Sequence, residues 1–175
     1  MEHLSKDELT RLLTVAREHS ERDWLMLLVG FTHGFRVSEI LGLTAANVVD
    51  GFITIQRLKG SMKTTQPLRH AADPLFDEKT ALEAWCRDHQ SGPLFNISRM
   101  HAWRIIQELG RLASIPKHLC HPHILKHTIA MLTIGKAGIE NVRQMLGHKS
   151  ISSTGAYLKV DDDVATRAGF AALGD

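Results

Sequence analysis

The stretch from His121 to Tyr157, HPHILKHTIAMLTIGKAGIENVRQMLGHKSISSTGAY, places a cation and two imidazoles upstream of a lone phenol. Tyr157 is the only tyrosine in the chain, and His148 lies nine residues before it, just after the helix-ending Gly147. His123 and Lys126 are one helical turn apart and so share a face. A phenol becomes a covalent nucleophile towards a phosphodiester when cations stabilise the phosphorane charge and an imidazole moves protons. A single tyrosine is more often half-buried packing. Here Ser152-Ser153-Thr154, Gly155 and Ala156 give little reason for a buried ring.

The order of these residues resembles the second half of the catalytic domain of the tyrosine recombinases, the phage-integrase family, whose pattern runs His, two residues, Arg, His, then Leu-Gly-His, then Tyr. Upstream, HGFRVSEILGL resembles the family's first arginine motif and RLKGSMKTTQPL its lysine-bearing hairpin. The resemblance covers nearly the whole chain in the right order and departs from the pattern at one catalytic position. Lys126 stands where the family carries its second arginine.

What this resemblance implies is specific. The fold is α+β and mainly helical, with a small antiparallel β-sheet or hairpin on one side, and residues 1–175 form one catalytic domain. Tyr157 attacks a DNA phosphodiester, giving a 3′-phosphotyrosyl link and a free 5′ hydroxyl, and a 5′ hydroxyl from a second duplex reverses the step. Arg36, Lys126 and His148 neutralise the non-bridging oxygens. His123 takes the phenolic proton or assists through the phosphate. Lys59, eight residues before Pro67 as in the family pattern, protonates the leaving oxygen, with Lys63 in reserve. Arg99 and Arg104, with Lys63, are the expected DNA contacts. No ATP, metal or other cofactor is implied, because the phosphate bond energy is held in the covalent intermediate. The expected partners are double-stranded DNA and further copies of the chain, as a tetramer on DNA, with residues 161–175 docking on a neighbouring protomer. The DNA-clamping domain of full-length members is expected to be absent. A cytoplasmic, bacterial or phage-encoded protein is the natural setting.

Lys126 keeps the positive charge but loses the two-pronged guanidinium, which is not a conservative change at a bidentate site. Three outcomes follow: an active lysine variant, a weakened one, or a relative that binds DNA without cutting it. A rival from another class is a zinc-dependent hydrolase, because Lys117 to His127 carries His118, Cys120, His121, His123 and His127, with an i, i+4 histidine pair. Lys126 beside such a metal and the lack of a Glu after His123 count against it.

Composition sets the frame for this chemistry. With 175 residues, 43% of them apolar, the chain can bury one sizeable core. The net charge of +2 permits nucleic-acid binding if the cations cluster on one face. No apolar run reaches bilayer length, and MEHLSKDEL lacks the order of a signal peptide. Cys86 and Cys120, far apart in sequence, are expected as reduced thiols.

The elements that must position the chemistry are legible in turn. Ser5 and Glu8 form a capping box, with Leu4 and Leu9 as a hydrophobic staple, and Leu9, Leu12, Leu13 and Ala16 form a helical stripe. WLMLLVGF, residues 24–31, is apolar nearly all round and predicts a central buried helix ending at Gly34. Glu39 is expected to brace the fold beside Arg36. Asp50-Gly51 predicts a hairpin, and a second follows with residues 58–63 at its tip and 64–68 returning, Pro67 marking an edge strand. Residues 75–89 predict a helix with Leu82, Trp85 and Cys86 inward. Ser98 caps another, with Trp103, Ile106, Leu109 and Ala113 facing the core and Arg99, Arg104 and Arg111 outside. His127 is expected as a hydrogen-bonded core histidine. Gly135 and Gly138 are expected to break the helix that carries His123, and a further helix ends at Gly147.

Overall fold

Helix α1 (Lys6–His19) starts where its cap is written: the Ser5 side chain accepts from the Glu8 N–H, and the Ser5 N–H donates to Glu8 Oε2 at 2.8 Å. Leu4 and Leu9 are both buried, and the Leu4 N–H donates to Thr128 Oγ1 at 3.0 Å, tying this entry to a distant helix. The structure is a computed structural model that describes residues 2–58, 62–150 and 152–155. Lys59, Tyr157 and the tail 161–175 lie outside the described residues.

Helix α2 (Glu21–His33) is the axle of the fold, buried from Asp23 to Phe31 and packed against α1 and three later helices. Gly34 ends it at φ 60. A Cβ there would fall 2.4 Å from Leu146 Cδ2, so the end of α2 is pressed against the end of a helix more than a hundred residues later. The chain then enters the short α3 (Val37–Leu41).

Strands β1 (Val48–Val49), β2 (Phe52–Gln56) and β3 (Lys63–Pro67) form an antiparallel sheet in that order. The β1–β2 turn is made by Asp50 and Gly51, both at positive φ, and β3 is the edge strand that Pro67 closes. Lys63 differs from its expected place at a free tip: it is already on the ladder, paired with Gln56.

Helix α4 (Glu78–Asp88) starts three residues later than expected. The Leu75 carbonyl accepts from Trp24 Nε1 and Asp73 captures the Leu75 N–H, so this backbone is committed elsewhere and Asp77 becomes the cap. Helix α5 (Arg99–Leu112) buries Ala102, Ile105, Ile106 and Leu109. Trp103, expected inside, is 44% exposed, because the inward stripe runs through its neighbours and each residue turns about 100° round the axis. Helix α6 (His123–Ala137) runs straight through Gly135, which a helix tolerates at a cost of about 1 kcal/mol. Only Gly138, at φ 79, breaks it. Helices α7 (Ile139–Met145) and α8 (Ser152–Gly155) complete the described chain.

The main core lies around α2, and a satellite cluster of Ala130, Val142 and Leu146 joins α6 to α7. Both cysteines are free and buried. Among the described residues no helix is long and apolar enough to cross a membrane.

Gly110 on α5 tests the tightness of this packing. An alanine Cβ there would meet Cys120 Sγ at 2.3 Å, so overpacking of about 1–3 kcal/mol outweighs a helix-propensity gain of about 1 kcal/mol. Gly110→Ala is expected to lower stability in urea unfolding, whereas an open helical site would show a gain.

Candidate active site

Three elements distant in sequence meet at the end of α7. From α2, the chain passes through Gly34 and Phe35 to Arg36, whose backbone N–H donates to Glu39 Oε2 at 2.8 Å and whose Nη1 donates to Oε1 at 3.0 Å. Glu39 has no exposed side-chain surface, while 21% of the Arg36 side chain stays open to solvent. Glu39 also accepts the Leu58 N–H at 3.0 Å, which fixes the backbone one residue before Lys59.

The residue that sequence reasoning missed is Arg57. Its side chain is fully buried, its Nε lies 3.5 Å from Glu39 Oε2, and its Cζ sits 4.7 Å over the Phe35 ring. Nη2 donates to the Gly34 carbonyl at 2.9 Å and to the Leu146 carbonyl at 2.8 Å. One signal could have found it. Ile53 and Ile55 point inward, and the two-residue period of a strand puts Arg57 in the same phase.

Lys126, from α6, donates through Nζ to the same Leu146 carbonyl at 3.3 Å and is itself buried. Gly147 follows at φ 68, and a Cβ there would fall 2.9 Å from Arg57 Cγ. Its carbonyl accepts the Met62 N–H at 3.2 Å, so the hairpin is held on both sides of residues 59–61. His148 is buried next in line, with Nδ1 2.9 Å from Thr154 Oγ1.

The electrostatics follow from crowding cations around one carboxylate. Burial pushes the Lys126 ammonium down to about 7, and the charges of Arg36 and Arg57 push the same way against Glu39. Burial, then Lys126, Arg36, Arg57 and Arg143, take His148 down to about 4. In the ligand-free chain His148 is therefore held in its neutral form, an imidazole whose Nδ1 faces the Thr154 hydroxyl. Burial also lowers Arg57 to about 10, with Glu39 opposing and Arg36 assisting. For Glu39, burial acts upwards but loses to the Arg36 N–H, the Arg57 charge and the Leu58 N–H, which hold it ionised.

Residues 2–163 match the phage integrase family. The chain belongs to that family. It is 32% identical over 152 residues to the type 1 fimbriae regulatory protein FimE of Escherichia coli K12, covering 78% of this chain and 73% of that protein. Tyrosine recombinase XerA of Pyrococcus furiosus is 32% identical over 170 residues, covering 90% of this chain and 57% of that one. The crystal structure of XerH recombinase bound to its difH substrate before cleavage superposes with a TM-score of 0.77 at 19% identity, covering 95% of this chain and 53% of that chain. The chain thus spans just over half the length of these two recombinases.

Within this phage-integrase fold, Arg36, Lys126 and His148 fall within electrostatic reach of one another. His123 is exposed at the first position of α6, its ring centroid 6.3 Å from that of His127. His127 is half-buried rather than deep in the core, and burial followed by the charges of His123, His121 and Lys126 lowers its pKa. Arg99 and Arg104 are exposed on α5 and Lys63 on β3. The zinc alternative finds no support in the ligand geometry: among the described residues no group of three His, Cys, Asp or Glu could hold a metal, and Cys120 Sγ points at the Ile115 and Pro116 carbonyls.

A buried ammonium titrating near 7 instead of its ordinary 10.5 means that the unfolded chain binds a proton the folded one has shed between those limits, so this group favours folding more as pH rises through that window and least below about 7. Lys126→Met is therefore expected to raise Tm at pH 6 by about 2–4 °C or more, with the gain shrinking towards pH 10. A Tm that falls at pH 6 would contradict the buried-cation assignment.

Proposed function

We propose that this chain is the catalytic unit of a site-specific DNA recombinase that cuts and rejoins duplex DNA through a 3′-phosphotyrosyl intermediate. The observation that carries the proposal is the convergence of Arg36, Arg57 and Lys126, from three separate parts of the chain, around the end of α7 with the Glu39 carboxylate beside them. An uncompensated cluster of this kind is completed by an anion, and the family supplies the anion's identity as a DNA phosphate.

In the proposed step the Tyr157 oxygen bonds to phosphorus and the P–O5′ bond breaks. The phenolic proton goes to His123, directly or through the phosphate, and Lys59 supplies a proton to the departing 5′ oxygen. Arg36 offers a partly exposed guanidinium fork to the non-bridging oxygens, and its contact with Glu39 leaves its second terminal nitrogen for phosphate. Lys126 adds a charge that a bound phosphate converts fully to ammonium. When the Thr154 hydroxyl donates into Nδ1 of His148, the ring proton sits on Nε2, and a neutral imidazole donates to the phosphorane as an oxyanion-hole group. No metal ion or nucleotide cofactor enters this scheme.

The face that meets DNA is α5. Its exposed Arg99, Met100 and Trp103 share a groove with Val37 and Pro122, the sequence neighbours of Arg36 and His123, and Arg104 extends the same face. Arginines beside an exposed indole suit a phosphate backbone and the apolar edges of bases. Lys63 on β3 is a further phosphate contact. In this reading the working form is a tetramer on DNA, with residues 161–175 docking on a neighbouring protomer.

The test is incubation with a library of nicked duplexes followed by denaturing electrophoresis. A protein–DNA adduct is expected that disappears in Tyr157→Phe. Salt-sensitive DNA binding with no adduct would support a non-cutting relative instead, and an adduct that survives Tyr157→Phe would overturn the chemistry. Lys126→Arg, which stays ionised at all working pH values, is expected to raise the adduct rate above pH 8 and flatten its alkaline decline.

A further inference from the structure

We infer that Arg57 is a positioning residue of the strand-transfer site: its guanidinium clasps the segments that present Arg36, Lys59, Lys126 and His148, and holds them in one register. The inference rests on the proposed strand-transfer function and concerns a residue that would touch neither phosphate nor DNA.

Arg57 has no exposed side-chain surface, so it is not a DNA contact. Each of its partners lies one to three residues from a proposed site residue. The Gly34 carbonyl is two residues before Arg36, and the Phe35 ring under the guanidinium is the adjacent one. Glu39, which Arg57 faces, holds both Arg36 and the N–H of Leu58, the residue before Lys59. The Leu146 carbonyl, two residues before His148, is shared with Lys126 Nζ. A planar fork can span the Gly34 and Leu146 carbonyls with one nitrogen while directing another edge at a carboxylate, and an ammonium at that depth cannot do all three.

The close fit supports a built site. Gly147 at φ 68 leaves no room for a side chain against Arg57 Cγ and Nε. A buried polar layer stands behind it: His33, whose carbonyl lies 3.5 Å from Arg57 Nη1, contacts Gln66 through Nδ1 and Glu78 through Nε2, and Gln66 Nε2 donates to the Met145 carbonyl. Thus β3, α2, α4 and the end of α7 are tied together beside Arg57. Its charge also contributes to the lowered pKa values of Lys126 and His148.

The experiment compares wild type, Arg57→Lys, Arg57→Met and Leu82→Ala, the last a cavity variant in the α4 core that serves as a stability-matched control. Single-turnover adduct formation on nicked duplex, duplex affinity and Tm are measured from pH 6 to pH 10. The expected result for Arg57→Lys is an adduct rate per folded molecule lower by tenfold or more, with duplex affinity within threefold. Removing the charge in Arg57→Met is expected to move the alkaline decline of the rate to higher pH, because Lys126 then gives up its proton less readily. A merely structural role would lower Tm and leave the rate per folded molecule and the alkaline limb in place, as in Leu82→Ala, and would overturn the inference. Should Arg57→Met fail to fold, Arg57→Lys alone decides. Should wild type give no adduct, the strand-transfer reading fails, and the positioning claim is decided by inorganic phosphate: tenfold weaker binding in Arg57→Lys sustains it, and unchanged binding ends it.

Discussion

The Arg57–Glu39 pair is the interaction on which the rest of the site depends. Both side chains are removed from water, and a buried ion pair repays its desolvation only when its remaining donors and acceptors are filled. Here Nη2 of Arg57 and both Glu39 oxygens are filled by groups that lead to the site, the Gly34 and Leu146 carbonyls, the Leu58 and Arg36 backbone amides and the Arg36 guanidinium, while Arg57 Nε keeps only its 3.5 Å ion pair with Glu39. Breaking such a pair by deleting one member typically costs about 3–5 kcal/mol, so the geometry of the surroundings is over-determined. The sheet and the ends of α2 and α7 converge because this polar knot cannot be satisfied by any one of them.

The same knot makes the site electrically unbalanced. Glu39 is shared between two arginines, and Lys126 is brought in beside them with a carbonyl as its hydrogen-bond partner. The ammonium responds by titrating near neutrality and the neighbouring imidazole by remaining uncharged. In the proposed function an arriving phosphate would reverse this, supplying the missing negative charge and drawing a full proton onto Lys126. The lysine in place of the family's second arginine is therefore more than a weaker donor. In the proposed function it would couple binding of the anion to uptake of a proton, which a guanidinium could not do.

How much of this was legible in the sequence depended on whether a residue's role was local. The Ser5 cap, the Asp50-Gly51 turn, the Gly34 stop and the Pro67 edge are fixed by backbone chemistry within a few residues, and each stands where it was read. Lys126 and His148 were legible through their spacing, although their protonation was not, because desolvation depends on what packs above them. Arg57 was overlooked because beside Lys59 it looks like one more solvated cation; the strand period that puts it in phase with Ile53 and Ile55 points inward, but only the packing of the α7 end shows what it binds there. Trp103 and the start of α4 failed at the level of helix phase and backbone competition, where one tertiary hydrogen bond or a single residue's rotation outweighs local preference.

The most direct measurement is the titration of Lys126 itself. With ¹³C-labelled lysine and Lys126→Arg to assign the resonance, the ε-carbon of the free chain should titrate near 7, and addition of a short duplex should shift that midpoint upwards while the solvent-exposed lysines stay in place. A free-chain midpoint near 10 that does not respond to DNA would mean that Lys126 sits in ordinary solvent, and that the arginine–carboxylate knot does not assemble an anion site.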